Sequence, residues 1–330
     1  MTNSGVGYLI LTSTPPEQIA EISRKVEQLG LDELWVAEDY FCYGGFTAAE
    51  KALAATSRIR VGLGVVSSVA RHPAVTAMET ANIARSYPGR FRLGIGHGLP
   101  FWTDQMGLTP KSPLTCLREC VTAVGELLRG EPVDREGTYF SFRSIQLAHS
   151  TAEPVDLLTG VVGPRSLELS GEIADGTIMS VLAGPEYLTS ARGSIETGMA
   201  KAGRSTHQVP TFAICGVSED RDAARASVRP TLAMYIDALT TRSPLITCTG
   251  FADEVQQLLT EGGAELLAQA MPDEWIDEFA VAGDPSDVVS GIERLRKAGA
   301  SEVVLTFNPA TAEQELELVS TSVLPQLAAR

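Results

Sequence analysis

Four short stretches of the chain carry residue types and spacings suited to chemistry. In LWVAEDYF (34–41), Glu38, Asp39 and Tyr40 follow an apolar run. A carboxylate there can accept a hydrogen bond from a polar heterocycle edge or handle a proton, and it can equally cap a helix or sit solvated in a loop. In RLGIGHGLPFW (92–102), His97 lies between Gly96 and Gly98 and is followed by Phe101 and Trp102. An imidazole titrates near neutrality, which suits proton donation, although a loop histidine with no such role fits the same context. Of the four histidines it alone follows a strand in a glycine-rich turn; His72 precedes Pro73, and His149 and His207 lie on connections. GLGVVSS (62–68) sets Gly62 and Gly64 inside an apolar run, where glycine marks either a bulge with close backbone approach to a ligand or tight packing. Finally TGVVGPRSLELSGEIADG (159–176) leads a glycine turn into a helix at Pro164, with Arg165 beside it. Backbone N–H groups at a helix start bind phosphate, whereas the dinucleotide fingerprint is missing.

These stretches need elements that bring them together. Apolar, β-branched runs at Val6–Leu11, Glu33–Ala37, Ile59–Val66, Phe91–Ile95, Val155–Leu158, Thr177–Met179, Thr211–Val217 and Glu302–Phe307 alternate with amphipathic helical segments. Nearly wholly apolar strands belong to parallel sheets buried on both faces. Helix boundaries are marked by Pro15-Pro16, His72-Pro73, Ser112-Pro113, Gly163-Pro164 and Asp284-Pro285, and by Gly30 and Gly130 past helix ends. A small hairpin is expected at Tyr139–Phe142 and Ile145–Leu147. Eight strand–helix pairs predict an α/β fold, a (β/α)8 TIM barrel, with a mostly helical insertion over Glu219–Glu278 near strand seven; an open doubly wound sheet is the main rival. No composition shift marks a linker, so residues 1–330 are expected to form one domain. In a parallel barrel the site is assembled at the strand C-termini, where all four stretches fall.

The formal net charge of -15 repels phosphate and argues against nucleic acid or anionic membranes as partners. With 44% hydrophobic and 20% charged residues, the composition is that of a globular enzyme. Five cysteines in a chain too long to need staples suggest a reducing, cytoplasmic setting. Cys116 and Cys120 share a helix face, but no further ligands lie nearby in sequence, so they read as packing and no metal is expected. The start MTNSGVGYLI has no basic segment or long apolar run, and export and membrane spanning are not expected.

Taken jointly, PGRFRLGIGHG (88–98), SPLTCLREC (112–120) and GVVGPRSLELSGEIADGTI (160–178) resemble the luciferase-like flavin- or deazaflavin-dependent oxidoreductases, and the resemblance covers nearly the whole chain. It is nearest to the coenzyme F420 branch, which includes methylenetetrahydromethanopterin reductase and glucose-6-phosphate dehydrogenase. The resemblance implies the barrel, an insertion near strand seven and a homodimer. It also implies that Asp39 is the strand-two acid, that a non-proline cis peptide falls at Gly64-Val65 to support the deazaflavin ring, and that Ser67 contacts that ring. Gly96 joins the cofactor-binding residues, and the cofactor phosphate falls on Val161, Val162, Gly163 and Pro164, with Arg165 adjacent. Where the glucose-6-phosphate enzymes carry His, Glu, Thr and Lys, this chain has Tyr40, Leu99, Ser180 and Ala183, which disfavours sugar-phosphate oxidation.

The expected activity is therefore hydride transfer at the deazaflavin C5 to or from a small organic substrate, the cofactor supplying the chemistry and the protein orientation and electrostatics. His97 is the first choice as proton donor or acceptor, with Tyr40 and Tyr43 behind it, and Phe41, Phe46, Phe101 and Trp102 form a lid or substrate wall. The alternatives are an FMN-dependent monooxygenase fed by a separate flavin reductase, and a non-catalytic flavin-binding barrel.

Overall fold

The structure is a computed structural model describing residues 5–239 and 242–329. In chain order the first half comprises β1 Val6–Ile10, α1 Ile19–Gln28, β2 Glu33–Val36, α2 Gly45–Ala55, β3 Arg60–Ser67, α3 Pro73–Ser86, β4 Phe91–Gly96, α4 Pro100–Gln105 and α5 Pro113–Leu128. Then follow β5 Val133–Glu136, β6 Ser141–Ile145, β7 Asp156–Gly160, α6 Pro164–Ile173, β8 Gly176–Ile178, α7 Pro185–Ala202 and β9 Pro210–Val217. The remainder is α8 Arg221–Leu239, α9 Pro244–Thr247, α10 Ala252–Ala270, α11 Asp273–Phe279, β10 Ala280–Gly283, α12 Pro285–Ala298, β11 Glu302–Thr306, α13 Ala312–Leu318 and α14 Leu324–Ala328.

The strands run parallel in the order β10-β9-β11-β1-β2-β3-β4-β7-β8. The free edge of β8 is not left open. Parallel bridges join Gly176 to Gln208 and Met179 to Thr211, and the Thr177, Met179 and Phe212 amides donate to Gln208, Pro210 and Met179 carbonyls at 2.8, 2.9 and 2.9 Å. β8 therefore meets the lower half of β9, and β1, β2, β3, β4, β7, β8, β9 and β11 enclose an α/β barrel, as the alternation predicts. The upper half of β9 pairs instead with β10, a four-residue strand that the sequence reading does not contain. The described residues of 219–278 are mostly helical, as expected, with α10 broken at Gly262 and Gly263.

The hairpin differs from expectation. It forms between β5 and β6, with Arg135 opposite Phe142, because the Glu119 carboxylate accepts the N–H groups of Thr138, Tyr139 and Phe140 at 2.8, 2.9 and 3.2 Å. Residues expected to begin a strand are thereby held as a turn.

Strand periodicity sorts side chains into two sets. One faces the helices; the other forms the barrel interior, where Leu9, Trp35, Leu158, Ile178, Phe212 and Val304 make a packed layer. Trp35 needs Gly62, since a Cβ there would overlap the indole. Beneath this layer the buried Arg92 guanidinium meets Glu33 at 2.8 Å, Asp156 at 3.3 Å and Glu302 at 3.6 Å, and also bonds Gln208. Among the described residues the barrel is thus filled at its lower end, and its C-terminal mouth is the place for a site.

Candidate active site

The floor of the mouth is made by Val65. β3 and β4 keep register from Val61 to Leu63, shift, and resume at Val66. The extra residue of such a bulge reverses which way the next side chain points. Val65 consequently turns inward, where a Cβ on Gly94, Gly96 or Gly160 would come within 2.9, 2.8 and 2.6 Å of its methyl groups. Three glycines on two neighbouring strands make room for one valine. The Gly64–Val65 peptide is cis, as the resemblance implies, and so is Tyr40–Phe41.

Period-two alternation at the end of β2 separates the two adjacent acids. Glu38 is buried and engaged: Arg71 grips it bidentately at 2.6 and 2.7 Å, the Gly45 N–H donates to it at 2.8 Å, and the Tyr40 hydroxyl donates at 3.3 Å. It ties β2, α2 and the β3 loop together. Asp39 is half-buried and accepts one side-chain bond, from Thr12 Oγ1 at 2.6 Å. Burial, then the neighbouring Asp39 charge, pushes the Tyr43 hydroxyl up to about 12, and that hydroxyl is buried with no hydrogen-bond partner. Tyr40 is likewise raised to about 12, by burial and then by Glu38, while the Ser67 backbone N–H pulls the other way.

His97 lies half-buried at the end of β4, and its Nε2 is 3.0 Å from Ser166 Oγ in the first turn of α6. Its Nδ1 is buried, and burial lowers the imidazole below its ordinary range, partly offset by the Pro113 backbone. Through Nε2 the ring holds the first turn of α6. Ser67 is buried and donates to the His97 carbonyl at 3.3 Å, joining the β3 and β4 loops. Tyr40, Ser67, His97 and Ser166 thus bring together four stretches that are distant in sequence.

At α6, Gly163 is the N-cap, with no side-chain cap, and Pro164 follows at the first helical position. The Gly163 carbonyl accepts the Ser166 and Leu167 N–H groups, both at 2.9 Å, and a Cβ on Gly163 would meet nothing within 4 Å. Val161 is buried, the Val162 carbonyl accepts the Tyr187 hydroxyl at 2.6 Å, and Arg165 is exposed. Pro164 has no N–H, so what this turn offers an anion is the positive end of the helix dipole at Gly163 and Arg165.

Two residues at this end were not anticipated. Tyr235 on α8 lines a small cleft with Leu11 and Phe307, and its hydroxyl is raised by burial and then by Asp39. Glu278 on α11 accepts the Glu186 N–H at 3.0 Å and packs where a Cβ on Gly184 would stand. Burial pushes its carboxyl up to about 7. Neither could be found from sequence, because helical periodicity alone does not say which face of the 219–278 helices turns toward the mouth. Among the described residues no group of three or more His, Cys, Asp or Glu is placed to hold a metal ion, and no helix is long and apolar enough to cross a membrane.

Residues 2–302 match the family described as luciferase-like monooxygenase. The chain belongs to that family. This luciferase-like protein is 27% identical to 5,10-methylenetetrahydromethanopterin reductase of Methanopyrus kandleri, over 98% of its own length and 99% of that protein's. It is 28% identical to F420-dependent glucose-6-phosphate dehydrogenase of Microbacterium testaceum, the match covering 95% and 93% of the two chains. Its structure is similar to that of the coenzyme F420 dependent tetrahydromethanopterin reductase of Methanopyrus kandleri, with a TM-score of 0.83, 26% identity and coverage of 98% and 99%. The fold of this luciferase-like chain is therefore the α/β barrel of those enzymes.

Proposed function

We propose that this luciferase-like oxidoreductase uses coenzyme F420 to move a hydride to or from a small organic substrate at the C-terminal mouth. The observation that carries the reading is the Val65 bulge bedded on Gly94, Gly96 and Gly160, beside a helix start at Gly163 that no side chain of the chain itself caps. A flat ring needs such a convex apolar support, and a phosphate needs such a helix start. The matching relatives named for F420 support the same choice.

When bound, the deazaflavin supplies a carbon that takes or gives up a hydride. The chain's residues would do the rest. Gly64, Val65, Ser67 and Gly96 shape the support, and Val161, Val162, Gly163, Pro164 and Arg165 receive the phosphate. Asp39 faces the polar edge, and Tyr40 offers a hydroxyl for proton handling. His97, whose Nε2 is taken by Ser166, acts as a positioning residue for the phosphate-binding turn. The whole chain works in this reading as one domain, with 219–278 shaping the substrate pocket, and as a homodimer, checked by light scattering.

Fluorescence titration of F420 against FMN tests the proposal. Saturable F420 binding at least about ten-fold tighter than FMN is expected. Preference for FMN would move the protein to the reduced-flavin monooxygenases.

A further inference from the structure

Helix N-termini attract anions, and a carboxylate already standing at one competes with an anion from outside. The chain's own carboxylates fill four of them. Glu38 takes the Gly45 N–H of α2 at 2.8 Å, and Glu278 takes the Glu186 N–H of α7 at 3.0 Å. Asp220 accepts from Asp222 and Ala223 at the start of α8, at 3.0 and 3.1 Å, and Asp284 closes α12 through Ser286 and Asp287 at 2.8 and 3.0 Å. The His72 ring caps α3, and the starts of α1, α5 and α6 have no side-chain cap, that of α6 being given above to the cofactor phosphate. Uncommitted cations are scarce. In the described loops that follow the barrel strands, Arg71 is committed to Glu38 and Lys111 is exposed beside the α5 N-cap, while Arg165 stands at α6 itself.

The rim above β2 and β4 is apolar and uncovered. Phe41, Phe101 and Leu99 are 67%, 56% and 46% exposed. Phe101 packs on Trp102 with ring centroids 4.6 Å apart, and Trp102 meets Tyr40 edge-on at 6.1 Å. Tyr40 in turn bonds Glu38, so the wall is continuous with the site. Contiguous exposed rings at a mouth mark a binding surface rather than scattered surface residues.

We propose that the substrate is uncharged and lays a flat, aromatic or otherwise apolar face against Phe41, Phe101 and Trp102, while phosphorylated and other anionic molecules are turned away by the carboxylates that stand at four helix starts and at Asp39, with few uncommitted cations to offset them. The claim rests on the cofactor reading for the anion at α6.

Tryptophan emission tests it on the full chain. Trp35 and Trp275 are fully buried, so quenching by a ligand reports Trp102. Acetophenone and 4-acetylphenyl phosphate, matched except for the charged group, are titrated with and without F420, whose own emission is followed separately. Acetophenone is expected to quench saturably and at least about ten-fold more tightly than the phosphate, and Phe101→Ala to weaken it by a similar factor. Equal or tighter binding of the phosphate overturns the proposal, as does the lack of saturable quenching in either form. Emission that shifts with protein concentration alone would assign the wall to a second copy and overturn it too. Quenching that persists when F420 fails to bind would remove the cofactor reading and leave the wall standing.

Discussion

Val65 and Gly160 share one volume: a Cβ on Gly160 would lie 2.6 Å from Val65 Cγ1. Gly160→Ala should displace the valine, lowering F420 affinity at least about ten-fold and stability by ~1–3 kcal/mol through overpacking. Gly160→Ala combined with Val65→Ala should recover most of the stability, because the two changes are coupled. Denaturant melts and titrations of the three variants check this; additive losses would separate the two residues.

The neighbouring acids should behave oppositely. Glu38→Gln breaks a buried, bidentate pair with Arg71, and a loss of ~3 kcal/mol in unfolding free energy is expected. Asp39→Asn should leave the melting curve nearly in place while reducing turnover by roughly two orders of magnitude. Reversed effects would exchange the roles assigned here.

For His97 the discriminating measurement is the split between affinity and turnover. His97→Ala and Ser166→Ala should each weaken F420 binding about ten-fold, with kcat at saturating cofactor within roughly three-fold of the parent. His97→Gln, whose amide nitrogen stands near the place of Nε2, should restore most of the affinity. A fall in kcat of two orders of magnitude or more with affinity unchanged would return the proton to His97.

Two half-buried groups impose opposite pH slopes. Burial pushes His207 down to about 4 from its usual 6.5, so the stability gained from its neutral form is complete above 6.5 and is lost as pH falls toward 4. Glu278, raised from 4.5 to about 7, favours the protonated folded state, so its contribution is present at low pH and lost as pH rises through that window. The first is worth ~3 kcal/mol, the second about 1 kcal/mol after allowance for its partial exposure. Glu278→Gln should therefore steepen the acid loss measured by urea unfolding between pH 6.5 and 4.5, and His207→Gln should flatten or reverse it. Parallel curves for all three proteins would contradict both assignments.

The barrel strands were legible because burial on both faces writes itself as unbroken apolar runs, of which 59–66 and 211–217 are the clearest. The Pro-marked helix starts at 73, 113, 164 and 285 were legible for the same local reason, a fixed φ and no N–H to satisfy. What depends on distant partners was not. Gly62 and Gly96 look alike in sequence, yet one makes room for Trp35 inside the core and the other for Val65 at the floor. Glu38 and Asp39 differ only by which side of β2 they leave from. The hairpin moved because Glu119, about twenty residues earlier, holds its turn. Cys116 and Cys120 do share the buried face of α5.

Below Val65 stand Trp35 and Phe212, and below them the Glu33–Arg92 layer, so the described residues leave no second entrance into the barrel from underneath. Whatever arrives there has a single doorway for both entry and exit. Two molecules that must lie one above the other then cannot exchange independently: the deeper one boards first and leaves last. Steady-state kinetics should accordingly be ordered, with a dead-end analogue of the outer molecule trapping the inner one against washout.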